Sequence, residues 1–215
     1  MKTIAVFNNK GGIGKTTFSV HLALYASARG ISTLAVGLDR QGDFCRWLSQ
    51  GEQVLADGLT FRVNERLQVL YSPMELPKQR WGVDLVIADC PPAVETVDTV
   101  DADLWLVPLD GRLAIENLGN IHASLCQAGG EIMLVLNRCD MIGKRALEGL
   151  RQAAKGIPRS RVRDAPIPTA PAIAKAAEYY KTVWSVPHGG DTKAARAMES
   201  LCDDVLTGCG LKWRH

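Results

Sequence analysis

An α/β fold, with a mostly parallel central sheet and helices on both faces, is what this chain of 215 residues predicts. Three observations carry the prediction. Short apolar runs bounded by Gly, Asp or Pro alternate with longer stretches of helical periodicity, the pattern of strands covered on both faces. A glycine cluster, Gly11-Gly12-Ile13-Gly14, stands between the first such run and the first helical stretch. Apolar residues make up 47% and charged residues 22% of the chain, close to the globular average, which excludes disordered, collagen-like and disulfide-scaffold classes.

Residues 3–8 read as a buried strand, and residues 15–29 as a helix with apolar positions at Phe18, Leu22, Leu24 and Tyr25 and Gly30 where a helix would end. Residues 33–37 form a second apolar strand, consistent with a strand–helix–strand crossover. Residues 44–48 predict one or two helical turns, and 51–64 a loop with at most a short helix. Strands are expected at 67–71, 83–88, 104–107 and 132–137, and helices at 115–127, 144–155, 172–180 and 192–206. Prolines at 166, 168 and 171 mark a loop before the last two helices. With no repeat, linker or low-complexity tract, residues 1–215 are expected to form one domain.

No apolar run approaches the roughly 20 residues that span a bilayer, and the N-terminal run is too short for a signal peptide, so a soluble cytoplasmic chain is expected. The six cysteines are scattered without C-x-x-C or paired-histidine spacing, which reads as buried free thiols rather than zinc or redox chemistry. Net charge is +2, but residues 138–164 hold eight Lys/Arg against three Asp/Glu. Arg151, Lys155, Arg159, Arg161 and Arg163 there, with Lys175, Lys181, Lys193 and Arg196 further on, are candidate contacts for a phosphate backbone; a solvated helix face is the alternative.

Lys10-Gly11-Gly12-Ile13-Gly14-Lys15-Thr16-Thr17 holds the sharpest chemistry. Glycines let consecutive N–H groups turn toward a phosphate at the positive end of the next helix, Lys15 neutralises β and γ oxygens, and the Thr16 hydroxyl is placed for Mg²⁺. The general P-loop pattern asks for a glycine where this chain has Asn9, and Lys10 stands ahead of two glycines instead. On these residues the chain resembles the deviant Walker A family of P-loop NTPases, which includes the ParA partition ATPases, MinD and the nitrogenase iron protein. The resemblance implies that Lys10 reaches into a partner subunit's nucleotide site across an ATP-sandwich homodimer, and that Gly11, Gly12, Ile13, Gly14, Lys15, Thr16 and Thr17 bind ATP.

Two further segments match the same family. Val83-Asp84-Leu85-Val86-Ile87-Ala88-Asp89-Cys90-Pro91-Pro92 looks like its Walker B strand, which implies Mg²⁺ held by Asp89 through water. Leu38-Asp39-Arg40-Gln41-Gly42-Asp43 resembles the switch segment D-x-D-P-Q-G, with Gly37 for the first aspartate and Arg40 for the proline. Asp39 is the implied residue for orienting the attacking water, and Asp43 a weaker second carboxylate near the metal. Asn137-Arg138-Cys139-Asp140 lies one change from the guanine-reading N-K-x-D; in ParA-like chains an Asn here contacts adenine instead, with the Pro168-Thr169 loop closing over the base. Lys10 favours ATP.

The resemblance runs nearly the full length and implies a small ParA-type partition ATPase of weak intrinsic activity. Such a protein dimerises on ATP, binds DNA without sequence preference on the nucleoid, and is stimulated by a ParB-like centromere-binding partner. The chain begins at its first strand, so an N-terminal helix-turn-helix extension is not expected. A MinD-like or other cargo-positioning ATPase is the alternative. Its membrane form needs an amphipathic C-terminal helix, for which residues 208–215, with Leu211 and Trp213, are too few, so no stable membrane binding is expected. A reductase like the nitrogenase iron protein would need exposed ligand cysteines, which Cys90 and Cys126 do not resemble.

Overall fold

The computed structural model describes residues 1–52, 55–73, 75–78, 81–111 and 113–212. Its strands are β1 (Lys2–Val6), β2 (Thr33–Gly37), β3 (Thr60–Asn64), β4 (Leu67–Tyr71), β5 (Leu85–Asp89), β6 (Leu104–Asp110), β7 (Glu131–Asn137) and β8 (Ser160–Val162). The helices are α1 (Lys15–Ala28), α2 (Asp43–Leu48), α3 (Thr96–Thr99), α4 (Ala114–Gln127), α5 (Lys144–Ala154), α6 (Pro171–Glu178) and α7 (Lys193–Gly208). The strands join one sheet in the order β3-β4-β2-β5-β1-β6-β7-β8, parallel except for the β3–β4 pair.

Period-two alternation along the central strands builds two cores, because successive side chains leave a strand on opposite faces. Ile4, Val6, Ala35, Leu85, Ile87, Leu104 and Leu106 pack with α1, α2, α6 and α7. Ala5, Phe7, Leu34, Val36, Val86, Ala88, Trp105 and Val107 pack with α3, α4 and α5. Both faces are covered, which is why these strands read as unbroken apolar runs.

Three expectations need correction. Residues 60–64, read as loop, form the antiparallel edge strand β3; Arg62 and Asn64 among them carry no apolar signal, and pairing with β4 supplies the order. Residues 160–162 form β8, a parallel edge strand of Ser, Arg and Val whose polar sequence hid it. β6 continues through Pro108 to Asp110, three residues past its expected end. The brief helix α3 was not foreseen either. The tail at residues 213–215, including Trp213, lies outside the described residues.

Register decides where the chemistry goes. Val6 and Gly37 both lie opposite Asp89, while β6 and β7 run four residues further, from Leu106 beside Val6 to Asp110 opposite Asn137; the carboxyl ends of these five strands face one edge of the sheet. The loop after the central strand β1 opens there, between β5 on one side and β6 on the other. In open α/β sheets this carboxyl edge is where ligands bind.

Candidate nucleotide site

Asn8 fixes the start of the loop that follows β1. Its buried side chain donates from Nδ2 to the Pro108 carbonyl (2.9 Å) and accepts the Lys10 N–H at Oδ1 (2.8 Å), tying the loop to β6. Gly12 and Gly14 sit at φ 66° and 103°, and a Cβ at Gly11 or Gly12 would meet nothing within 4 Å, so open space lies over the loop. At Gly14 the conformation is one L side chains avoid, and a Cβ there would stand 2.3 Å from Asn137 Nδ2. α1 then begins at Lys15, with the N–H groups of its first turn facing the loop.

Asp89 is the deepest charge in the site. Burial pushes its carboxyl up to about 6, against the opposing hydrogen bonds from Ser19 Oγ (2.8 Å) and Thr16 Oγ1 (2.9 Å) and the nearby Lys15 cation. Lys15 is buried as well. Desolvation lowers its pKa, the Asp89 and Asp39 charges oppose the shift, and its Nζ donates to the Lys10 carbonyl at 3.0 Å. A carboxylate disfavoured by burial beside a hydroxyl, under a loop with open space above it, fits a divalent ion coordinated next to a polyphosphate. Thr16 and Asp89 are the residues that would hold it.

Lys10 behaves differently from Lys15. Only its carbonyl faces Lys15, while its ammonium reaches outward to Asp110 Oδ2 at 3.9 Å, where Arg138 also binds at 3.0 Å. Asp39 stays half-buried and turns its carboxylate onto the Gln41 N–H (2.9 Å), and its charge is felt at both Lys15 and Asp89. Asp43 does not join them: it faces solvent and pairs with Arg46. Gly37 has a steric reason, since a Cβ there would meet Cys45 Sγ at 2.6 Å. The cysteine of α2 fills the space that an aspartate at this position would need.

Asn137 is buried and donates from Nδ2 to the Ile13 carbonyl at 2.7 Å, bracing the loop from β7. Beside it lies an open cleft of about 480 Å³ lined by Asp110, Gly111, Arg138, Cys139, Asp140, Met141 and Thr169, with Pro168 buried behind Thr169. Thr17 lends its carbonyl to His21 Nδ1 (2.7 Å). Ser19, Asn8 and Asp110 were missed in the sequence. Ser19 is signalled only by lying three residues after Thr16 on one helix face, and Asn8 and Asp110 only as polar ends of apolar strands.

The nine candidate DNA contacts are not one patch. Arg163 is withdrawn from the set: its side chain is 6% exposed, bound to Asp204 (2.6 Å), Ser200 (2.8 Å) and the Ala165 carbonyl. Arg151 is paired with Asp164 and Glu148, and Arg159 donates to the carbonyls of Ala128 and Gly130. Lys193 and Arg196 donate to the Asp140 and Asp191 carbonyls, while Lys155, Arg161, Lys175 and Lys181 are exposed.

An AAA domain family matches residues 1–68, the span from β1 through α1, β2, α2 and β3 to the start of β4. The chain is 32% identical over 148 residues to the maintenance of carboxysome distribution protein A of Gloeobacter kilaueensis, covering 65% of this chain and 64% of that protein. It is 42% identical over 115 residues to the chromosome-partitioning ATPase Soj of Treponema pallidum, covering 49% of this chain and 41% of that protein. The matches span less than two thirds of either curated relative. In fold, the whole chain superimposes on 98% of a Cyanothece McdA variant in complex with ATP, at a TM-score of 0.76 and 17% identity. The sheet is thus the one on which ParA- and MinD-type P-loop proteins are built.

Proposed function

We propose that residues 1–215 act as one nucleotide-binding domain that binds ATP with Mg²⁺, dimerises across the carboxyl edge of the sheet, and hydrolyses ATP slowly to move a cargo over DNA. The observation that carries the reading is the division of labour between two lysines of one loop. Lys15 is buried within reach of the Asp89 charge, whereas the Lys10 side chain stays half-exposed with its ammonium 3.9 Å from Asp110. An outward cation at that place serves a phosphate held by a second copy.

The chain's own groups then have these tasks. The loop amides and Lys15 bind the β and γ phosphates, and the partner copy's equivalent of Lys10 adds charge where the transition state gathers it. Bound Mg²⁺ would supply further charge neutralisation from its place by Thr16 and Asp89. Asp39 holds the attacking water in line. Hydrolysis removes the contact that bridges the copies, so the dimer loosens and its doubled DNA surface is lost.

The cargo has two readings. The likeness to Soj supports a replicon, with a ParB-like adaptor to stimulate turnover on the nucleoid. The likeness to carboxysome-distribution proteins supports an assembled body moved by the same DNA-gradient device, and is equally strong.

Sedimentation velocity tests the common core. With ATP and Mg²⁺, the Asp39→Ala protein is expected as a dimer. Adding Lys10→Ala should leave it monomeric while fluorescent ATP still binds. A monomer under all nucleotide conditions removes the reading.

A further inference from the structure

The end of α6 is unusual in two ways. Tyr179 and Tyr180 are exposed at 57% and 39%, among the few large apolar side chains of the described residues left in solvent, and Lys175 and Lys181 flank them. Lys175 and Tyr179, four residues apart, share one helix face. Among the described residues no carboxylate pairs with either lysine, although Glu178 sits on the same turn. Tyr180 also holds φ at 51°, the left-handed position after a helix where glycine is free of cost, and the Lys181 N–H closes that cap onto the Ala176 carbonyl (2.9 Å).

This strained turn is joined to both nucleotide-facing elements. The Tyr180 ring lies against Gly51 in the turn after α2, and Trp47 of α2 donates from Nε1 to the Lys181 carbonyl at 3.0 Å. Two residues on, the Val183 N–H donates to Nε2 of His21 (2.9 Å), whose Nδ1 holds the Thr17 carbonyl of the phosphate loop's helix. α2 follows directly on the Asp39 loop. The Asp39 loop is thus linked to Lys181 through α2 and one hydrogen bond, and the glycine loop to Val183, two residues on, through α1 and one hydrogen bond.

Resting on the proposed DNA reading, we infer that the last turn of α6, with Lys175, Tyr179, Tyr180 and Lys181, is the surface that touches the DNA backbone. Ammonium groups meet phosphates, and tyrosine hydroxyls donate to phosphate oxygens beside them. The basic stretch at α5 and β8 is the weaker candidate, because Arg151, Arg159 and Arg163 already serve internal partners. With Glu178 present, one copy offers a net charge of only +1 on this turn. Two copies joined by ATP double it, which makes binding conditional on nucleotide.

Anisotropy of a labelled random-sequence duplex, titrated at several salt concentrations with ATP, ADP or no nucleotide, tests the assignment. Lys175→Glu and Lys181→Glu are each expected to weaken ATP-state binding by about fivefold or more near 0.1 M salt and to lower the log–log salt slope by about 1. Tyr179→Ala should weaken it with little change in slope. All three should still sediment as dimers with ATP in the Asp39→Ala background, which excludes misfolding. If the wild type binds duplex better with ATP but these variants match it, or only Lys155→Glu and Arg161→Glu lose affinity, this assignment is overturned and the DNA reading stands. Wild-type protein that binds no better with ATP than with ADP overturns the DNA reading and the assignment with it.

Discussion

His21 is the residue whose burial has the most readable consequence. Both ring nitrogens are committed, Nδ1–H to the Thr17 carbonyl and Nε2 to the Val183 N–H, and Trp47 and Trp184 meet the ring edge-on. Only the neutral ring satisfies that pair, and burial lowers its pKa to about 4 from an ordinary 6.5. The unfolded chain takes a proton below 6.5 while the native one resists until about 4. The stabilisation is thus complete above 6.5 and is lost as pH falls through that window. Asp89, raised to about 6, works in the opposite direction between 6 and 3.8, so a bare stability curve mixes the two. Urea unfolding of the wild type and His21→Gln at pH 7.5 and 5 separates them. The wild type is expected to lose about 2 kcal/mol more than the variant over that interval, and parallel losses would refute the account.

At the scale of elements, Arg163 shows how a residue of a basic stretch becomes structural. It leaves β8 and reaches α7, where the guanidinium fork meets Asp204, Ser200 and a carbonyl at once. A charge taken this far from water is stable only with its partners in place. Arg163→Ala should cost about 2 kcal/mol in chemical denaturation, discounted because Asp204 is itself half-exposed. Duplex affinity measured well below the melting midpoint should not change. A fall in affinity with stability intact would return Arg163 to the DNA surface. The same packing logic governs α2, whose Cys45 occupies the space beside Gly37 and whose Trp47 grips the α6–α7 connection.

For the whole molecule, the buried Lys15 and Asp89 make the site costly without a ligand, so the proposed nucleotide binding carries a consequence for global stability. ATP with Mg²⁺ at a hundred times its Kd should add about 2.7 kcal/mol. For a chain of this size that is a rise of roughly 5–10 °C in the melting midpoint. Lys15→Ala should abolish the rise while folding normally without ligand. An equal rise in that variant would place the nucleotide elsewhere.

The central strands, the major helices and the glycine loop between β1 and α1 were legible because each is written locally. Apolar runs of five residues, a 3.6-residue periodicity and a glycine cluster before Lys15-Thr16 carry their own signal. Asp89 was legible for the same reason, as the polar end of an apolar run. β3 and β8 were not, since their order comes from a neighbouring strand and not from their own side chains. The internal partners of Asn137 and Arg163 were not legible, because a side chain's partner depends on which distant elements register places beside it. Asn137 meets Ile13 across 124 residues and Arg163 meets Asp204 across 41. Local sequence thus determined which elements form and where the glycine loop stands between β1 and α1. Tertiary packing decided which polar side chains stay free to act, because a buried donor must be satisfied by whatever acceptor the fold brings within reach.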